Sequence, residues 1–196
     1  MIKIYRTIES EPWSTFDLRA LEDDGCVVDV GCLGWDWSNF FIGKKRIVGI
    51  DPFEKTIPNG VELFSGVLGT SDCYVSMDKP FNNEISAVVN IEESENNNIK
   101  MLSWKTFCRE FNIDVVSLLK INIEGSEYSF LESLTKSDFS KIKQIVVSFH
   151  DWLHPEYGHY PEYNRLTKSS IKLLEENGFT VISTHIQWGW YLCVKK

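Results

Sequence analysis

The stretch KINIEGSEY, residues 120–128, ends an alternating apolar run with two glutamates, Glu124 and Glu127, on the far side of Ile123 and about Gly125. Carboxylates at such a junction either belong to a surface turn and a capped helix or edge a cleft, where one can take a proton from a reacting group. A second cluster lies in SFHDWLHPEY, residues 148–157. Its His150 and His154 are candidate general bases because imidazole titrates near neutral pH. His150 reads equally well as a strand-end histidine satisfied locally, and His154, before Pro155, as a loop residue. H-D-x-x-H with Glu124 can be drawn as a metal site, but the spacing matches no strong signature and no metal is expected.

A third group is VVDVGCLGWDW, residues 27–37, a strand, a glycine turn and a helix start, with Asp51 ending the next strand 20 residues after Gly31. A carboxylate there can accept both hydroxyls of a ribose, which suits a nicotinamide dinucleotide and S-adenosylmethionine alike. The turn separates the two. A pyrophosphate needs G-x-G-x-x-G, whereas Gly31 and Gly34 are followed by bulky Trp35 and anionic Asp36. Asp36 would oppose a pyrophosphate but not the sulfonium and ammonium of S-adenosylmethionine. Asp72, in VLGTSDC, could reach an adenine amino group or serve ordinary turn chemistry.

These residues need a scaffold that gathers strand ends. CVVDVGC (26–32) and RIVGIDP (46–52) read as strands on either side of a helix begun by WDWSNFF, and ELFSGVLG (62–69) as a third strand. CYVSMDKP and ISAVVNIEE read as a hairpin inserted over about residues 73–93, joined by PFNNE, with ENNN a loop. SWKTFCREFN (103–112) is a short amphipathic helix before VVSLLKINIE (115–124), whose near-continuous apolar character suits a central parallel strand. The helix SEYSFLESL follows with Ser126 as its expected N-cap. KQIVVSFHD (143–151) is a further strand and TKSSIKLLEENG (167–178) a helix stopped by Gly178. FTVISTHI and WYLCVKK close the chain as a hairpin around QWGW. The βα alternation predicts an α/β fold, a three-layer αβα sandwich on a mostly parallel sheet with an antiparallel C-terminal hairpin, in one domain over 1–196.

At 196 residues the chain can bury roughly 70% of its unfolded surface in one core. Its net charge of -8 repels phosphate backbones, which argues against nucleic acid as a partner. MIKIYRTIESEPW lacks the apolar segment of a signal peptide, and no run approaches the length of a membrane span, so a cytoplasmic protein that does not engage membranes is expected. The 5 cysteines, Cys26, Cys32, Cys73, Cys108 and Cys193, are widely spaced without a C-x-x-C pair and read as reduced, mostly buried small hydrophobes.

Taken together, VVDVGCLGWDWS, GIDPFE, SGVLGTSD, SLLKINIEGSEYSFLESL and IVVSFHD, in this order over about residues 26–151, resemble the FkbM family of S-adenosylmethionine-dependent methyltransferases. The most specific piece is KINIEGSE, which is similar to that family's K-I-D-x-E-G-x-E signature. The resemblance implies a Rossmann-like methyltransferase fold and S-adenosylmethionine as cofactor. It implies that Asp29, Gly31, Cys32 and Gly34 shape the methionine end of the site, that Asp51 and Pro52 hold the ribose, and that Asp72 lies near the adenine, with Asn122 in the signature strand. The acceptor would be a small molecule or a glycan, methylated on a hydroxyl. Glu127 falls beside the cleft, and Trp152 and Tyr157, in or near the aromatic loop HPEYGHYPEYN (154–164), would face the acceptor. Leu33 stands where the family has Asn, Trp35 where it has its second Gly, and Asn122 where its signature has Asp. Those three features suit an alternative, a catalytically silent binding module of the same fold. The acceptor and the oligomeric state depend on loops and surfaces that carry no motif here.

Overall fold

The computed structural model describes residues 2–8, 11, 14–77, 89–90, 98–150 and 165–196. The chain opens with an antiparallel ribbon, β1 (Ile4–Arg6) and β2 (Thr15–Asp17), followed by β3 (Cys26–Val30), β4 (Ile47–Ile50) and β5 (Val61–Phe64). Next come β6 (Val67–Gly69), β7 (Cys73–Met77), β8 (Val89–Asn90) and β9 (Ile99–Ser103). Helix α1 (Trp104–Glu110), strand β10 (Val116–Ile121), helices α2 (Glu127–Ser133) and α3 (Lys136–Lys141) and strand β11 (Gln144–Ser148) form the second half. Helix α4 (Arg165–Glu176) and the hairpin β12 (Phe179–His185) and β13 (Trp190–Lys195) complete it.

Among the described residues, seven strands form the main sheet in the order β12-β13-β11-β10-β3-β4-β5. β13 runs antiparallel to both its neighbours, and the other pairings are parallel. This is the α/β arrangement with an antiparallel closing hairpin that the alternation predicts. All six residues of β10 are buried, as a strand covered on both faces requires. Val28, Val30, Leu119, Ile121, Ile145 and Val147 pack with Phe107, Phe130, Leu131 and Leu174 of the helices. Their alternates Val27, Leu118, Val146 and Leu192 pack with Phe16, Trp35, Trp37 and Phe41. Burying a large apolar side chain contributes about 1.5–3 kcal/mol, so these two layers carry most of the stability.

Beyond the added ribbon β1–β2 and helix α3, three elements differ from the periodicity. WDWSNFF yields only a 3-10 turn over Ser38–Phe41, because its aromatics Trp37 and Phe41 are drawn onto the sheet as a plug rather than along a helical stripe. The expected third strand divides at Gly66 into β5, in the main sheet, and β6, in a second sheet ordered β6-β9-β7-β8. A Cβ on Gly66 would lie 2.4 Å from the Lys100 carbonyl, so the crossing demands glycine. Strand β9 occupies residues between the ENNN loop and the helix SWKTFCREFN, where the periodicity gives no element. The expected hairpin is represented by β7 and β8, which pair antiparallel through Ser76 with Asn90 and Met77 with Val89. Its connecting residues 78–88 lie outside the described residues.

Candidate active site

The strand order reverses between β10 and β4 on either side of β3, and in parallel sheets such a reversal opens a crevice at the carboxyl ends of the strands. A cavity of about 500 Å³ lies there. Gly31, Leu33, Gly34 and Asp36 of the β3 turn form one wall, Asp51, Pro52 and Phe53 after β4 another, and Asn122, Ile123, Glu124 and Ser126 after β10 a third. Val67 and Leu68 of β6 close the far side.

The β3 turn is held from beneath. Asp29 and Lys120 are register partners on adjacent strands, both buried, with Lys120 Nζ 2.9 Å from Asp29 Oδ1. Lys120 also donates to the Gly31 carbonyl, and Ser38 donates to Asp29 Oδ2. A buried cation thus satisfies both a buried anion and the turn it anchors. Gly31 has φ 80°, and a Cβ there would lie 2.0 Å from the Asn122 carbonyl, so backbone meets backbone at the cavity floor.

Trp35 occupies the left-handed region with φ 60°. A bulky residue there is unusual. Its indole is buried against Gly49, where an added Cβ would come within 2.4 Å of the ring, and Nε1 donates to the Thr56 carbonyl at 2.6 Å. Cys32 packs beside it, and burial pushes its thiol far above the usual range.

Asp51 accepts from the Phe53 and Glu54 amides at 2.8 and 3.0 Å, and burial raises its carboxyl despite those bonds. Glu54 accepts from the amides of Gly34 at 2.7 Å, Lys55 at 2.8 Å and Thr56 at 2.6 Å, which hold its carboxyl below the usual range. Sequence reasoning passed over Glu54 and Lys120. The readable signal for Lys120 was a lone charge inside an apolar strand opposite another, Asp29.

Glu124 is 26% exposed, faces the cavity, and sits at φ 52°. Burial raises its carboxyl above the ordinary glutamate value. Behind it His150 is 6% exposed, with Nε2 3.6 Å from Glu124 Oε2 and Nδ1 2.7 Å from Glu127 Oε1. Glu127 is fully buried and accepts the amides of Ile123 and Gly125, both at 2.9 Å. Glu127 thus reaches back to hold the loop that leads into α2. Ser126 occupies the N-cap position but makes no side-chain capping bond. Glu127, expected on the substrate side, is turned into the protein rather than toward the cavity.

The structure thus brings Gly31, Gly34, Asp51, Pro52, Asn122 and Glu124 to one cavity, with Asp29, Cys32, Glu127 and His150 supporting it. Asp72 stands apart, exposed, accepting from the Ser103 amide at 2.7 Å and the Thr106 hydroxyl at 2.6 Å at the start of α1. Trp152, His154 and Tyr157 lie outside the described residues. Among the described residues, no cluster of His, Cys, Asp and Glu has the arrangement to hold a metal, and no helix is long and apolar enough to cross a membrane.

The fold agrees with what comparison shows. The FkbM methyltransferase of Methylobacillus flagellatus KT superposes with a TM-score of 0.51 at 14% identity, over 87% of this chain and 43% of that one. The chain therefore spans less than half the length of that relative. Magnesium protoporphyrin IX methyltransferase of Synechocystis PCC 6803, solved with bound SAM, aligns at 14% identity over 87% and 70% of the two chains, TM-score 0.41. The fibrillarin pre-rRNA processing protein of Methanococcus jannaschii aligns at 10% identity over 99% and 82%, TM-score 0.48. No curated protein matches the chain. The pattern of the methyltransferase FkbM domain matches residues 36–181, and the chain belongs to that family.

Proposed function

We propose that the protein transfers the methyl group of S-adenosylmethionine to a hydroxyl oxygen of a small molecule or sugar. The observation that carries this reading is the charge of the cavity: among the described residues its lining holds Asp36, Asp51 and Glu124 and no lysine or arginine. Such a lining favours a cationic ligand and disfavours a pyrophosphate. A volume of about 500 Å³ lies within the range of small-molecule and cofactor sites. Asp51 would accept the ribose hydroxyls, and the backbone of Gly31, Gly34 and Asn122 would border the rest. When bound, S-adenosylmethionine supplies an electrophilic methyl group on a sulfonium.

The chain's own residues then have two tasks. They hold the acceptor in line, and they take the hydroxyl proton. Of Glu124, Glu127 and His150, Glu124 is the one that lines the cavity, and its raised carboxyl makes it a better proton acceptor than an exposed glutamate. His150 stands behind Glu124, oriented by Glu127, and can receive or return the proton.

Calorimetric titration with S-adenosylmethionine and S-adenosylhomocysteine tests the reading, with Asp51→Ala as control. Binding that the variant loses supports it, and no binding up to millimolar ligand overturns it. Binding with no methyl transfer to any hydroxyl acceptor favours the silent-module reading, which the bulky, left-handed Trp35 in the turn also suits.

A further inference from the structure

We propose that Glu54 is a positioning residue that joins two walls of the cavity and sets its shape before any ligand arrives. Its carboxylate spans the gap between the β3 turn and the segment after β4. Oε2 takes the Gly34 amide at 2.7 Å, and Oε1 takes those of Lys55 at 2.8 Å and Thr56 at 2.6 Å. Trp35 adds a second tie across the same gap, its Nε1 donating to the Thr56 carbonyl. Glu54 itself is only 7% exposed, so these bonds are shielded from water. Hydrogen bonds from neutral amides to a shielded carboxylate are among the stronger ones in proteins.

The consequence follows from the geometry of the walls. Gly34 has φ 78° and open space about it, since a Cβ there would meet nothing closer than Asp36 Oδ2 at 3.9 Å. Packing therefore does not fix this part of the turn. The Glu54 carboxylate holds the Gly34 amide, alongside the turn bond from the Trp35 amide to the Cys32 carbonyl at 2.8 Å and the Trp35 ring against Gly49. A wall fixed in advance spares the ligand the cost of ordering it. Glu54 does not line the cavity, so its effect on binding passes through Gly34 and the turn.

The binding half of the test rests on the cofactor reading above, and the exchange half does not. Amide hydrogen exchange followed by NMR on the ligand-free protein should show Gly34 and Thr56 protected. In Glu54→Ala their exchange should accelerate about tenfold or more, the loss expected for a charge-assisted hydrogen bond, while the amides of Leu118 and Leu119 in β10 stay slow. Glu54→Gln, which keeps an acceptor oxygen, should restore part of the protection. The affinity for S-adenosylhomocysteine should fall about tenfold in Glu54→Ala and less in Glu54→Gln. Unchanged exchange at Gly34 in Glu54→Ala overturns the proposal, as does faster exchange with no change in an otherwise measurable affinity. Should the wild type bind no S-adenosylhomocysteine, the cofactor reading fails and the exchange result alone decides the role of Glu54.

Discussion

His150 Nδ1 lies 2.7 Å from Glu127 Oε1, so a carboxylate with no exposed surface orients an imidazole whose other nitrogen faces Glu124. Both oxygens of Glu127 already accept backbone amides, which assigns Nδ1 as the donor to Oε1 and leaves Nε2 as the nitrogen turned toward Glu124. The same carboxylate thereby fixes both the loop that carries Glu124 and the tautomer of the histidine behind it.

Replacing that carboxylate should damage fold and turnover together. Glu127→Gln presents an amide N–H to at least one of the three donors, and a buried donor left unpaired costs about 1–3 kcal/mol. Chemical denaturation should show a loss of that size. Methyl transfer should fall by about tenfold or more as His150 loses its fixed tautomer.

Glu124 should behave in the opposite way. Its carboxyl is raised by burial above the ordinary 4.5, so the folded state holds the proton more tightly than the unfolded state does. The stability this contributes is complete below the ordinary value and is lost as pH rises through the raised folded value. At neutral pH Glu124→Gln should therefore raise Tm by a few degrees while abolishing turnover, and the gain should vanish in acid. In the wild type, the acid limb of kcat/KM should sit above 4.5 because Glu124 accepts protons only when ionised.

Asp72 separates a structural role from a cofactor role. The Thr106 hydroxyl and the Ser103 amide hold its carboxyl down to about 2. A lowered carboxyl contributes stability above its unfolded value, lost as pH falls from the ordinary 3.8 toward about 2. Asp72→Ala should lower Tm at neutral pH, and the gap from wild type should close across that acid window. Affinity for S-adenosylhomocysteine should not change. A large loss of affinity would return Asp72 to the adenine site.

The legible parts of this molecule were those set by local chemistry. The apolar run ending in KINIE announced a central strand, and the spacing from Gly31 to Asp51 announced two adjacent strand ends. Two kinds of feature did not show. Glu54 acts through amides contributed partly by a turn 20 residues away, and only the folded register brings Gly34 to it. The division of residues 61–69 into β5 and β6 depends on Gly66 passing under Lys100, a contact between strands of the second sheet and its neighbour. Burial order was hidden as well. Glu124 and Glu127 look equivalent in sequence, yet one faces the cavity and the other the core, because Gly125 at φ 100° reverses the chain between them.

The β3 turn should tolerate little change at its glycines and respond to Trp35 by competing effects. Gly31→Ala drives a Cβ to 2.0 Å from the Asn122 carbonyl at φ 80°, and denaturation should show a loss of about 3 kcal/mol or more, with the cavity floor deformed. Trp35→Gly relieves a left-handed backbone costing about 1–3 kcal/mol, but it removes a buried indole whose loss costs about 3–5 kcal/mol. The ring term wins, so the variant should be less stable by about 2 kcal/mol in urea despite its better backbone. The tie from Nε1 to Thr56 is lost with the ring, so S-adenosylhomocysteine should bind more weakly. A variant more stable than wild type would mean that strain, not packing, governs this turn.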